Sequence, residues 1–266
     1  MLFLVSTPIG NLKDLTFRSK EILESVDYIL CEDTRHSLKL LNHYAIKKPL
    51  VSLHAFNEKQ KVDQVVEDLR GGKNVAVISD AGTPGICDPS VFLVKACRQA
   101  GLPVIAPVGP CALISAIAAF GAEHPAFQFL GFAPKESKEL APFLQRAIDY
   151  EGLSVFYDTP HHIRRTLSLL CQMNYSHVVA IAFEISKIHE RIEERLDQEW
   201  LALMEGSEVK GEMVILLKGE KKDALQLQEK EVMEALKEAG LSHNDCAKIG
   251  SKLLRQPKNQ LYKKWL

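Results

Sequence analysis

The chain has 266 residues, 46% of them hydrophobic and 25% charged, with a formal net charge of -1. These are values for a soluble globular protein with sequence enough for a real core, so no disulfide or metal staple is required. The length fits one large domain or two ordinary ones, and the near-neutral balance leaves partners open, because any basic patch must be local.

The six cysteines, at 31, 87, 97, 111, 171 and 246, are scattered and form no Cys-x-x-Cys pair. They read as reduced, mostly buried thiols of a cytoplasmic protein. No apolar stretch approaches the ~20 residues of a membrane span. The apolar start, Met1 to Ser6, lacks a basic leader and breaks at Thr7-Pro8, so it reads as a first strand.

In chain order, short apolar runs alternate with amphipathic segments. Strands are expected at Leu2 to Ser6, Tyr28 to Cys31, Leu50 to Leu53, Val75 to Ile78 and Val104 to Ala106. Helices are expected at Phe17 to Ser25, Ser37 to Tyr44, Lys59 to Arg70, Ser90 to Ala100 and Cys111 to Phe120. This rhythm predicts an α/β domain over 1–120, with a parallel sheet covered on both faces. After a linker, Gly121 to Pro125, a second α/β domain over 121–220 restarts. Its strands are Phe127 to Leu130, Leu153 to Tyr157, Val178 to Phe183, a charged edge strand Ile192 to Leu196, and Glu212 to Leu217. Its helices are Leu140 to Tyr150, His162 to Gln172 and Gln198 to Glu205, and the richness in strands suggests a mixed sheet.

Residues 221–266 predict a small helical module. Asp223 to Glu229 reads as a linker, Glu231 to Ala239 as a helix, Ser242 with Asp245 as a capped helix start, and Gln256-Pro257 as the opening of a last helix. From Cys246 to Leu266 there are Lys248, Lys252, Arg255, Lys258, Lys263 and Lys264 and no acidic residue, with Tyr262 and Trp265 interleaved. A basic, aromatic-bearing tail beside a near-neutral body suggests an RNA contact through Lys258, Tyr262, Lys263 and Lys264. A solvated helical cap is the alternative.

The most informative stretch is Ser79-Asp-Ala-Gly-Thr-Pro-Gly-Ile-Cys-Asp-Pro89, where a buried strand empties into a loop of small, polar and stiff residues. Open α/β sheets bind ligands at that carboxyl edge, and Gly82 and Gly85 let backbone approach a ligand closely. The loops Ser6 to Asn11, Cys31 to His36, His54 to Glu58 and Pro107 to Cys111 share the same rim, with Glu32, Asp33, Arg35, His54 and Glu58 as its charged set. Yet no Gly-x-Gly-x-x-Gly turn, Walker lysine loop or Gly-x-Ser-x-Gly elbow is present, and the nine histidines lack zinc spacing. The rim therefore suits something other than an ordinary dinucleotide, without metal.

Eight motifs occur in order: Thr7-Pro-Ile-Gly-Asn11, Glu32-Asp-Thr-Arg-His36, the Asp80 loop, Gly109-Pro-Cys-Ala112, Phe129-Leu-Gly-Phe132, Phe156-Tyr157 with Pro160-His161, Lys187-Ile-His-Glu190 and Lys210-Gly-Glu-Met-Val-Ile215. Together with Asn259-Gln-Leu-Tyr262 they resemble the ribosomal RNA small subunit methyltransferase I group of the tetrapyrrole (corrin/porphyrin) methylase family, over nearly the whole chain. The resemblance implies two α/β domains that bind S-adenosylmethionine between them. It implies methyl transfer to the ribose 2′-oxygen of a cytidine in the decoding region of small-subunit rRNA, free or in the 30S particle, by a homodimer. It places the cofactor against Pro8, Gly10, Asp80, Ala81, Gly82, Thr83, Ile86, Cys111 and Ala112, then Tyr157, Asp158, Glu184 to Ser186 with Ile185, and Met213. The sequence departs from the group's pattern at Ala55, Phe56, Ser90, Val108 and His162, where polar residues (twice), Gly, Pro and Arg are usual.

A ribose hydroxyl holds its proton at neutral pH, so an enzyme must align it and offer a base or charge. Asp33, Glu32, Glu184 and Lys187 are the candidates, and Arg35 suits a phosphate. For Glu32, Asp33 and Arg35 the plainer alternative is a helix-capping ion pair. Competing functions are a tetrapyrrole-type small-molecule methylase of the same fold and a non-catalytic ribosome-binding protein.

Overall fold

The computed structural model describes residues 1–54, 58–121, 126–206, 208–219, 229–254 and 256–265. Ala55, Phe56, Arg255 and most of both expected linkers lie outside the described residues. The chain divides into two compact units, Met1–Gly219 and Glu220–Leu266.

The first unit opens with β1 (Leu2–Val5), α1 (Phe17–Ser25), β2 (Tyr28–Cys31), α2 (Thr34–His43), β3 (Leu50–Ser52), α3 (Glu58–Arg70), β4 (Val75–Ile78), α4 (Val91–Gln99), β5 (Val104–Ile105) and α5 (Ala112–Phe120). The five strands form one parallel sheet in the order β3-β2-β4-β1-β5. Alternation along each strand sends side chains to both faces. Leu2, Leu30, Val75 and Val77 bury against Val65 and Leu69 of α3 and Leu93 and Cys97 of α4. Val5, Ile29, Cys31, Ala76 and Ile78 bury against Ile22 and Leu23 of α1 and Leu41 of α2. Strands covered on both sides must be apolar throughout, which is why these short runs carry almost no polar residue.

β1 and β4 are neighbours whose connections leave in opposite directions, toward β2 and toward β5. Ligand crevices form at such switch points, beyond the carboxyl ends of the strands. The helix after β4 starts unusually. Ser90 at its N-cap has φ 132° and makes no side-chain cap. Instead Oε1 of Glu58, a buried carboxylate, accepts from the Phe92 and Leu93 N–H groups at 2.8 and 3.1 Å. The negative charge sits where the helix dipole favours it.

The unit continues with β6 (Phe127–Phe132), α6 (Ser137–Ile148), β7 (Leu153–Asp158), α7 (Ile163–Gln172), β8 (Val179–Phe183), β9 (Arg191–Arg195), α8 (Asp197–Met204) and β10 (Met213–Lys218). The second sheet runs β6-β7-β10-β8-β9 and is mixed: β6 and β7 are parallel, while β10 is antiparallel to both β7 and β8. That register pairs Met213 with Asp158 on one side and Phe183 on the other, so the start of β10 lies beside the ends of β7 and β8. One face buries Phe156, Ile181, Phe183 and Ile215 with Trp200 of α8, whose indole N–H donates to the Val179 carbonyl at 2.8 Å. The other face carries Val155, Ala180, Ala182 and Val214 against Leu113 and Ala116 of α5. α5 thus links the last loop of the first sheet to the face of the second.

α2 begins three residues before the expected Ser37, because Asp33 caps it, its Oδ1 accepting from the Arg35 N–H at 2.8 Å. β6 runs two residues beyond Leu130 through a register shift at Gly131, which takes φ 77°.

The second unit holds α9 (Glu229–Glu238), α10 (His243–Leu254) and α11 (Lys258–Trp265). Ser242 caps α10, its hydroxyl accepting from the Asp245 N–H at 3.2 Å and donating to the Asp245 carboxylate at 2.5 Å. Met233, Cys246, Ala247 and Leu261 are fully buried in this small bundle. Gly250 is forced by packing: a Cβ there would stand 2.8 Å from Met233 Sδ.

Candidate functional site

The loop after β1 and the loop after β4 are stitched together. Thr7 N–H donates to the Gly82 carbonyl at 2.9 Å, and Gly82 N–H returns to the Thr7 carbonyl at 3.0 Å. Gly82 needs φ 79° to make that turn, a conformation costly to residues with a Cβ. Ser6 and Thr83 share a hydroxyl hydrogen bond at 2.9 Å, and Thr83 reaches the Pro110 carbonyl at 3.3 Å, which brings in the loop after β5. Gly109 allows that approach, since a Cβ would stand 2.6 Å from Ser6 Cβ.

These loops form one wall of a cleft of about 290 Å³, and the ends of β7, β8 and β10 form the other. Ala81, Gly82, Thr83, Ile86, Cys111, Ala112, Tyr157, Asp158, Ile185 and Met213, which the resemblance names for the cofactor, all line this one cleft. The wall also includes Ile9, Cys87, Phe132 and Glu212, which sequence reasoning had not singled out, and Asp88, a polar residue of the Asp80 loop. Pro8, Gly10 and Asp80 are not among the residues that line it. Asp80 Oδ1 is buried and has no partner among the described residues.

Apolar and aromatic groups dominate the surface of the cleft. The Tyr157 ring packs against Phe129 and Phe132, with centroids 5.0 and 5.2 Å away, and burial pushes its hydroxyl well above the ordinary tyrosine range. Asp158 is buried at the floor. Burial raises its carboxyl, opposed by hydrogen bonds from the Thr166 hydroxyl at 2.6 Å and the Thr159 N–H at 2.7 Å. Asp88 is the unusual member. Burial, reinforced by the charges of Glu32 and Asp80, pushes its carboxyl from 3.8 up to about 6.

Beside the cleft, the Lys187 ammonium bridges Glu184 at 2.9 Å and Glu212 at 3.0 Å. Burial pulls Lys187 down, but these bonds outweigh it and hold the group above its ordinary value. Lys187 in turn holds the Glu184 carboxyl below the usual range. The turn that presents them is strained, with φ 49° at Glu184 and 66° at Ser186. It is tied down by a hydrogen bond between the Ser186 hydroxyl and Asp14 and by the Glu212 N–H donating to Glu184 at 2.8 Å. Lys187 and Glu184 are thus an ionised pair rather than a neutral base.

Asp33 and Arg35 form the capping pair that was the plainer alternative. Arg35 donates to both Asp33 oxygens, at 2.9 and 3.2 Å, and its guanidinium is exposed. Hydrogen bonds from Arg35 hold the Asp33 carboxyl down at about 2, so it is a weak base at neutral pH. His54 lies two residues beyond β3, its carbonyl accepting from the Glu58 N–H at 3.0 Å. In the second unit Tyr262, Lys263 and Lys264 are exposed on α11 and Lys258 is half-buried. Among the described residues no group of three His, Cys, Asp or Glu could hold a metal ion, and no helix is long and apolar enough to cross a membrane.

A cleft with a close-approach glycine, an apolar aromatic wall and buried carboxylates suits a nucleoside carrying a positive charge, of a size at the lower end of small-molecule pockets. Residues 1–199 match the Tetrapyrrole (Corrin/Porphyrin) Methylases. The "Ribosomal RNA small subunit methyltransferase I" proteins of Pasteurella multocida and Escherichia coli O157:H7 are 40% and 39% identical to this chain. Each alignment covers 98% of it, and 95% and 93% of the relative. The structure of a diphthine synthase superposes with a TM-score of 0.66 at 12% identity, covering 82% of this chain and 89% of the other. A uroporphyrin-III-C-methyltransferase from Thermus thermophilus gives 0.56 at 17%, covering 82% and 94%. The chain belongs to the tetrapyrrole methylase family, in its ribosomal RNA small subunit methyltransferase I group.

Proposed function

We propose that this chain transfers a methyl group from S-adenosylmethionine to the 2′-oxygen of a cytidine ribose in the decoding region of small-subunit rRNA, as a homodimer. The observation that carries this reading is the cleft that the Thr7–Gly82 bridge builds against Tyr157, Asp158 and Met213, in a chain whose relatives named for that rRNA are similar from end to end. A small-molecule methylase of the same fold is less favoured, because the exposed Tyr262, Lys263 and Lys264 have no use for a porphyrinoid.

The donor would lie against Ala81 to Thr83, Ile86, Cys111, Ala112, Tyr157, Asp158, Ile185 and Met213, with Pro8, Gly10 and Asp80 in the loops that carry this wall. Bound there, it supplies an electrophilic methyl on a sulfonium. The protein's tasks are then alignment of the ribose oxygen, worth up to roughly 7–11 kcal/mol, and proton removal, worth roughly 10²–10⁴-fold. Asp88 is the proton acceptor in this account, since a carboxyl near 6 is a useful base at neutral pH and lies on the cleft wall. Glu32 and Asp80 tune it. Lys187, fixed by Glu184 and Glu212, places positive charge near the developing alkoxide. Asp33 holds Arg35 so that the guanidinium meets an RNA phosphate, with His54 on the same rim. Lys258, Tyr262, Lys263 and Lys264 of the second unit contact RNA as well.

The test is methyl transfer from labelled S-adenosylmethionine to small ribosomal subunits that lack the modification, followed by mapping. A single 2′-O-methylated cytidine is expected. Label on a base, or transfer only to a tetrapyrrole, overturns the proposal.

A further inference from the structure

A second cavity, of about 330 Å³, lies on the far side of the Glu184–Lys187 turn. Its floor is apolar, made by Met204 and Val209, with Leu203 of α8 54% exposed at its edge. Arg191 forms one side. Its guanidinium stands 4.0 Å over the Phe183 ring and donates to Glu193 at 2.8 Å, so it is already held in one orientation. His189 and Lys210 stand at the rim, with the Lys210 ammonium paired to Glu208 at 2.9 Å, and Ile188, next to His189 in the chain, is 96% exposed. Glu184 lines this cavity, while its partner through Lys187, Glu212, lines the first.

We propose that this cavity holds the base of an RNA nucleotide that flanks the methylated ribose. The inference rests on the RNA reading above and deepens it. A base needs an apolar slot for its ring, a planar group to stack on, and cations for the phosphates on either side of it. Met204, Val209 and Leu203 supply the first. Arg191 supplies the second, with little rotamer freedom left to lose because Phe183 and Glu193 pin it. Lys210, with the outer face of the Arg191 guanidinium, supplies the third, and the His189 ring N–H can donate to a phosphate oxygen. The Glu184–Lys187–Glu212 cluster stands between the two cavities, so a strand with its reacting ribose at Glu212 passes directly to Arg191. A wholly apolar partner would have no use for the Arg191 and Lys210 side chains at the opening.

The experiment replaces Leu203 with a photo-crosslinking amino acid in the full-length protein and irradiates it on unmethylated small ribosomal subunits. The expected product is a cross-link to the nucleotide next to, or one beyond, the ribose that the wild type methylates. A cross-link to a second copy of the chain, to a ribosomal protein or to rRNA remote from that ribose overturns the proposal, as does the lack of any RNA adduct. In parallel, Leu203→Ser and Arg191→Ala should raise KM for the subunit roughly 5- to 100-fold, the range for a lost stacked base. Donor affinity and the thermal midpoint should stay at the wild-type value for Leu203→Ser. An unchanged KM in both variants contradicts the proposal. Failure of the wild type to methylate RNA at all would defeat the parent reading instead.

Discussion

The stem of Lys187 lies across Gly10: a Cβ at position 10 would stand 2.3 Å from Lys187 Cγ. The glycine after β1 is therefore a space reserved for the lysine that bridges Glu184 and Glu212. Cγ is close to the backbone, so the clash cannot be relieved by moving only the tip of the side chain. Gly10→Ala should displace the ammonium and slow single-turnover methyl transfer about 10-fold or more, within the range for a lost charged catalytic contact. Lys187→Ala should do the same, and the double variant should be no worse than either. Additive losses would separate the two residues.

Asp88 should set the pH dependence of the reaction. In this account its carboxylate must be free, so kcat/KM should rise with pH through about 6 and then level, and Asp88→Asn should remove that rise. Stability runs the other way. The folded carboxyl titrates near 6 and the unfolded one near 3.8, so the protonated form is favoured by folding. Its contribution is complete below about pH 4 and is lost as pH rises through about 6. Asp88→Asn should therefore leave stability alone at pH 4 and add on the order of 1 kcal/mol at pH 8, after discounting for solvent screening. Glu32, Asp80, Cys87, Cys111 and Tyr157 are the titratable groups around it, and burial pushes the Cys87 thiol and the Tyr157 hydroxyl up, away from this window.

Ser90 occupies a glycine's place. Its φ of 132° is one that side chains resist, and its buried hydroxyl has no partner among the described residues. Ser90→Gly should raise stability by about 1 kcal/mol, the relief of strain exceeding the extra freedom of the unfolded chain. Thermal unfolding with unchanged donor affinity is the check; a lowered midpoint would mean that Ser90 earns its position through packing against Gly85.

The second unit is tested by salt. If α11 meets RNA, Lys258→Gln with Lys263→Gln and Lys264→Gln should weaken RNA binding. It should also flatten the slope of log affinity against log salt by about 0.7 for each lost phosphate contact with single-stranded RNA. A slope equal to wild type would mean that α11 does not touch the RNA.

The parallel sheet was legible in the sequence because strands such as Val75 to Ile78 are buried on both faces and end in turn residues. The first wall of the cleft was legible for the same reason, since Gly82 and Thr83 stand in the loop after such a strand, whereas Tyr157, Asp158, Ile185 and Met213 came from the family resemblance alone. What escaped was whatever depends on pairing across the chain. Glu212 reaches the cleft because β10 runs antiparallel between β7 and β8, a register that local pattern does not encode. Asp88 looks like an ordinary loop carboxylate until Glu32 and Asp80, brought from other loops, crowd it. The Glu32-Asp-Thr-Arg segment reads equally as a catalytic set or a helix cap, and the positions of Asp33 and Arg35 come down on the side of capping.

The most direct test of the whole account is calorimetric titration of S-adenosylmethionine into the purified wild type and into Ala112→Trp, which fills the cleft from the start of α5. The account predicts one donor bound per chain with a Kd on the order of 1 μM to 1 mM, as for typical enzyme substrates, and no binding to the folded variant. A folded wild type that takes up no donor, or an Ala112→Trp protein that binds it undiminished, would contradict it.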